Sequence, residues 1–72
     1  MGQLRDDKLL EKIVERIKRL REENGVTLEQ FYNDTNINLS RIESSKANIS
    51  ISTLNAICKH FRITVSEFLR GL

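Results

Sequence analysis

Four side chains near the middle of the sequence, Asn38, Ser40, Arg41 and Ser44, have the types and the spacing to read the edges of base pairs. An arginine fork can hold guanine O6 and N7 in bidentate fashion, while short amide and hydroxyl groups donate or accept at close range. If residues 39–45 are helical, Ser40, Arg41, Ser44 and Ser45 face outward, because positions three and four apart are neighbours on a helix surface. Asn38 precedes them as the residue that would cap that helix. Lys46 and Asn48 follow where a loop beyond the helix end can meet a phosphate, and Thr27 opens the preceding helical pattern, another place for a phosphate. The chemistry is that of a helix entering a DNA groove. Asn38, Ser40, Arg41 and Ser44 would touch bases, and Thr27, Lys46 and Asn48 would position the duplex backbone.

Catalytic chemistry has no comparable cluster. His60 is the only histidine and has no second ligand at the i±4 positions of a helix, so a zinc site would have to recruit scattered carboxylates. Cys58 lies two residues before it, a spacing that turns the two side chains to different helix faces and argues against a nucleophile–base pair. The three glycines form no phosphate-cradling loop. The sequence therefore predicts no catalytic residue, no metal ligand and no cofactor. Cys58 reads as packed core and His60 as a surface or partly buried side chain.

The elements that must position the polar face are all helical. Leu9, Leu10, Ile13, Val14, Ile17 and Leu20 recur at helical spacing along a long first helix, with Asp6 or Asp7 at its start and Gly25 as its left-handed stop. The other face of this helix reads as solvated, Arg16 and Arg21 being the cations that could instead reach a phosphate. Thr27-Leu28-Glu29-Gln30 is a capping box opening a second helix to about Asp34, with Leu28 or Phe31 and part of Tyr32 buried. Residues 33–36 have turn chemistry, Asn36 tolerating positive φ. A third helix over Leu39–Ser45 buries Leu39 and Ile42. Ser50 caps a fourth over Ile51–His60, with Ile51, Leu54, Ile57, Cys58 and Phe61 inward. Thr64-Val65-Ser66-Glu67 is a second capping box, opening a fifth helix with Val65, Phe68 and Leu69 inward and ending at Gly71.

The 72 residues suit one domain with a small helical core, and proline is absent. No segment approaches the ~20 apolar residues that span a bilayer, and no apolar run follows the N-terminus, so neither a membrane nor an export signal is expected. A single cysteine cannot form an internal disulfide, which fits a reducing cytoplasm. The net charge of +2 is spread evenly, with cations exceeding acids by one in residues 1–23 (seven against six) and by one in residues 24–72 (five against four). Binding to nucleic acid would thus rest on a few placed cations rather than on a bulk field.

From Ile17-Lys18-Arg19-Leu20-Arg21 through Val26-Thr27, Ile42-Glu43, Lys46, Ser52-Thr53-Leu54 and Ile63-Thr64-Val65-Ser66-Glu67-Phe68-Leu69, the chain resembles the Cro/C1-type helix-turn-helix family over roughly residues 12–70. The resemblance implies an all-α, five-helix lambda-repressor-like domain that fills residues 1–72, binds DNA and is usually dimeric. Fuller members of the family carry about three more residues between Ile37 and Ile42-Glu43, close to one turn at the start of the recognition helix. Family glycines are replaced by Asn36, Ser45 and Arg62, and a glutamine that often opens the second helix is Leu28.

The expected function is sequence-specific binding of double-stranded DNA by a small cytoplasmic transcriptional regulator, acting as a homodimer, with Leu69 and Leu72 available for pairing. The alternative is a protein-interaction module on the same scaffold, an antitoxin or a subunit bound to a toxin or another regulator, with little base readout.

Overall fold

A computed structural model describes residues 7–45 and 49–72, so Asp6, Lys46 and Asn48 lie outside the described residues. Among the described residues there are five α-helices and no strand: α1 (Asp7–Glu23), α2 (Leu28–Thr35), α3 (Leu39–Ser45), α4 (Ile51–His60) and α5 (Val65–Leu69).

Each boundary has a local cause. Gly25 takes φ 65° after α1, and the Val26 amide closes the end by donating to the Arg21 carbonyl at 3.0 Å. Thr27 Oγ1 accepts from the Gln30 amide while Gln30 Oε1 accepts from the Thr27 amide, the reciprocal box expected at the start of α2. The corner between α2 and α3 turns on Asn36, at φ 65°, whose amide donates to the Tyr32 carbonyl at 2.7 Å. Thr35 Oγ1 steadies it by donating to the Phe31 carbonyl and accepting from the Ile37 amide. Asn38 Oδ1 then accepts from the Arg41 amide and caps α3. Ser50 caps α4 through the Thr53 amide. Thr64 and Glu67 form the second box, and the amide that Glu67 accepts holds its carboxyl below the usual carboxylate range.

The core is built from α1 (Leu10, Val14, Ile17), α2 (Phe31), α3 (Leu39, Ile42), α4 (Leu54, Ile57, Cys58) and α5 (Phe68). Phe31 is fully buried, stacks on Phe61 with ring centroids 5.6 Å apart, and meets the edge of His60 at 4.7 Å, tying α2 to the end of α4. His60 is thus a partly buried packing partner of two phenyl rings. Cys58 is enclosed, and burial pushes its thiol above the ordinary value, so it holds little of the reactive thiolate.

Three inward assignments made from periodicity are corrected. Leu9, Ile51 and Leu69 are 44%, 73% and 40% exposed. Leu9 lies one step off the stripe of Leu10, Val14 and Ile17. Ile51 is the first residue of α4, which reaches the core only from Leu54 onward. Leu69 ends α5, one residue past the buried Phe68.

Truncating Leu54 to alanine removes a core side chain shared by these helices and should cost about 2–5 kcal/mol. An unchanged urea midpoint for Leu54→Ala would contradict this packing. Arg62 sits at φ 61° in the α4–α5 turn, where a Cβ is strained. Arg62→Gly should therefore raise stability by roughly 0.5–1 kcal/mol, the relief of strain outweighing the added freedom of the unfolded chain. A lowered melting temperature would show that the Arg62 side chain contributes more than its backbone costs.

Candidate nucleic-acid interface

α3 is short, and its amino acids divide cleanly. Leu39 and Ile42 are buried, whereas Ser40, Arg41 and Ser44 are exposed together within roughly a 100° arc of the helix surface. The sequence-derived base-contact residues on the helix are therefore brought onto one outward face, with Asn38 exposed at its start. Hydrogen bonds within the chain already fix what part of the Asn38 and Ser44 side chains is left to act. Asn38 spends its carbonyl oxygen on the cap, which leaves its NH₂ group as a donor. Ser44 donates to the Ser40 carbonyl at 2.7 Å, which leaves its oxygen as an acceptor. Arg41 adds the only positive side chain of α3. The face thus offers a donor amide at its start, a guanidinium in its middle and an acceptor hydroxyl near its end.

α3 packs against both α1 and α2. Its tie to α1 is a bidentate ion pair: Arg21 Nε and an Nη donate to the two oxygens of Glu43 at 3.0 and 3.1 Å. The other Nη of Arg21 donates to the Val26 carbonyl at 3.0 Å. Both side chains are nearly enclosed, at 12% and 10% exposure, and the Glu43 hydrogen bonds raise the guanidinium pKa above its ordinary value. The pair has an electrostatic consequence for the interface. Glu43 is the one acidic residue of α3, and a permanently protonated partner neutralises it, so that it does not oppose a polyanion.

Arg21 therefore points away from the phosphate role considered for it, and so does Arg16, which donates to the carbonyls of Phe68 and Arg70 at 3.0 and 2.8 Å. Sequence reading missed both attachments. The signal for Arg21 was its register: it follows Leu10, Val14 and Ile17 at the next inward position of α1, where a charge needs a partner.

Thr27 is exposed at the start of α2 with its oxygen accepting from Gln30, so its hydroxyl hydrogen remains to donate. Leu28, in the place of the family's glutamine, is half-buried against the core. The recesses on the described surface are shallow and lined mainly by charged residues of α1. Among the described residues no helix is long and apolar enough to cross a membrane.

This arrangement, two short helices across a three-residue corner with the second presenting a polar face, defines a helix-turn-helix protein. The chain belongs to the family of Cro/C1-type helix-turn-helix DNA-binding domains, whose family model matches residues 16–70, and its five helices form the lambda-repressor-like fold. No curated protein and no solved structure gives a match.

Replacing Glu43 by glutamine leaves Arg21 nearly enclosed without its counter-charge. Glu43→Gln should lose about 1–3 kcal/mol of stability, the cost of an undercompensated charged group. Chemical unfolding measures it; a loss within error of zero would mean the pair does not hold α3 in place.

Proposed function

We propose that the chain is a small cytoplasmic transcriptional regulator that binds double-stranded DNA sequence-specifically as a homodimer, with residues 1–72 acting as one domain. Arg41 is the main base reader, gripping a guanine edge. Asn38, Ser40 and Ser44 are shorter-reach contacts, Asn38 suited to acceptor atoms and Ser44 to an exocyclic amine. Thr27, Lys46 and Asn48 hold phosphates. The observation that carries this reading is the exposed Ser40–Arg41–Ser44 face on a helix whose only acidic side chain is neutralised by Arg21. Two copies supply what one lacks: a single chain offers few cations, and linking two weak sites raises apparent affinity by orders of magnitude.

The seven-residue length of α3 favours a second reading. With about one turn fewer than fuller family members, the helix could leave Arg41 at the phosphates. The scaffold would then serve as an antitoxin or as another partner-binding subunit, with little base readout.

Two substitutions separate these readings. Arg41→Ala should lose about 1–3 kcal/mol on a preferred duplex and flatten discrimination among duplexes. Lys46→Ala should weaken all duplexes by a similar factor and reduce the salt slope by about one per chain. If both variants show the same uniform, salt-sensitive loss, α3 meets only the backbone. If neither changes affinity at low salt, the DNA-binding reading gives way to the partner-binding one.

A further inference from the structure

Gly25 ends α1, and the residue before it adds a reactivity that neither the fold nor the DNA-facing helix uses. Of the six asparagines in the chain, Asn24 alone is followed by glycine. The other five precede a residue with a side chain, and Asn33 and Asn55 lie inside α2 and α4. An asparagine carboxamide is open to attack by the backbone nitrogen of the next residue, a five-membered ring closure favoured by proximity. A glycine at that place has no Cβ to obstruct the approach. Asn24 and Gly25 are both exposed, and nothing lies within 4 Å of where a Cβ on Gly25 would stand. Ring closure and the entry of water therefore meet no obstruction outside the turn itself.

Two hydrogen bonds hold the pair in check. The Asn24 Nδ2 group donates to the Leu20 carbonyl at 2.8 Å, and the Gly25 amide donates to the Glu22 carbonyl at 3.1 Å. Both belong to the end of α1, and helix ends are where local opening costs least. Arg21 and Val26 bracket that turn. The Val26 amide donates to the Arg21 carbonyl and an Arg21 Nη donates to the Val26 carbonyl, each at 3.0 Å. Glu43 grips the rest of the guanidinium. The ion pair that seats α3 thus also clamps the turn that contains Asn24.

We propose that Asn24 followed by Gly25 is a site of spontaneous deamidation, gated by the clamp of Arg21 and Glu43. When the turn opens, the Gly25 nitrogen gives up its proton to solvent and bonds to Asn24 Cγ. The Cγ–Nδ2 bond breaks, and the amide nitrogen leaves as ammonia. Water then opens the succinimide at either carbonyl, giving an aspartate or an isoaspartate, the latter with its backbone rerouted through Cγ. One water is consumed, one ammonia is released, and nothing is oxidised or reduced. Either product exchanges the donor carboxamide for a carboxylate, which only accepts hydrogen bonds and sits at the negative end of the α1 dipole. The closed turn is destabilised, and the net charge falls by one from +2. Thr27 lies three residues further on, so the modified chain holds duplex DNA more weakly; this consequence alone rests on the DNA-binding reading.

Ageing of the full chain at mildly alkaline pH tests the site, with fragmentation of the tryptic peptide 22–41 locating any new acid. Acid should appear at position 24 before it appears at any other asparagine, and Asn24→Gln, whose closure needs a larger ring, should abolish it. Glu43→Gln should speed the conversion by about fivefold or more by releasing the clamp. Ile57→Val, which loosens the core elsewhere, should leave the rate within about twofold. Far-UV circular dichroism checks that both variants are folded. Acid arising first at another asparagine, or none at position 24, would overturn the site, and equal rates in Glu43→Gln and Ile57→Val would overturn the clamp. Asn24→Asp should bind a mixed-sequence duplex at low salt roughly two- to fivefold more weakly than wild type. Equal binding would overturn the effect on DNA, whereas a wild-type chain that binds no duplex would overturn the DNA-binding reading and leave the modification site standing.

Discussion

The position of α3 depends on one interaction, the nearly enclosed pair of Arg21 and Glu43. α3 has seven residues, too few to be stable alone, since an isolated helix needs roughly twelve or more. Two apolar side chains, Leu39 and Ile42, bind it to the core, and packing alone would leave rotation about its axis weakly determined. A bidentate fork fixes that rotation, because a planar guanidinium accepts only one orientation of the carboxylate. Arg21 also holds the Val26 carbonyl, so the same group links α1, the entry to α2, and α3. The energetic return from such a pair is modest once desolvation is counted. Its role here is geometric: it sets which way Ser40, Arg41 and Ser44 point.

Most of the fold was legible in the sequence because its boundaries are chemical. The two capping boxes at Thr27 and Thr64, the Asn38 and Ser50 caps and the left-handed Gly25 and Asn36 each sit where their side chains or their tolerance of positive φ predict. Helix ends came within a residue or so, and the buried stripes of α1 to α5 largely followed the periodicity. What periodicity could not settle was the edge of each stripe. Leu9 and Leu69 lie next to buried residues in sequence and Ile51 lies three before buried Leu54, yet the packing of neighbouring helices leaves all three outside. That is a tertiary fact with no local trace.

The site was legible in a different measure. The outward face of α3 followed from helix register alone, and Ser40, Arg41 and Ser44 are exposed as that register requires. The support behind the face was not legible, because Arg21 and Glu43 are 22 residues apart and nothing local pairs them. Arg16 poses the same problem across 52 and 54 residues. Charged residues at the border of an apolar stripe read as solvated until a distant partner is seen. In this chain two such arginines are structural, one holding α3 and the other α5. The replaced glycines illustrate the reverse case. Asn36 accepts its left-handed backbone at low cost, while Arg62 takes up the same conformation with strain, so each substitution left the turn itself intact.

The central claim is that a face of only a few polar residues, held rigidly by Arg21 and Glu43, reads DNA sequence. Selection of bound duplexes from a random-sequence pool tests it most directly. The account predicts enrichment of a two-fold symmetric motif, its half-sites about one helical turn or a multiple of it apart, with a guanine in each half-site. A pool that is retained at low salt but yields no enriched sequence after repeated rounds would contradict base readout by α3 and leave only backbone contact.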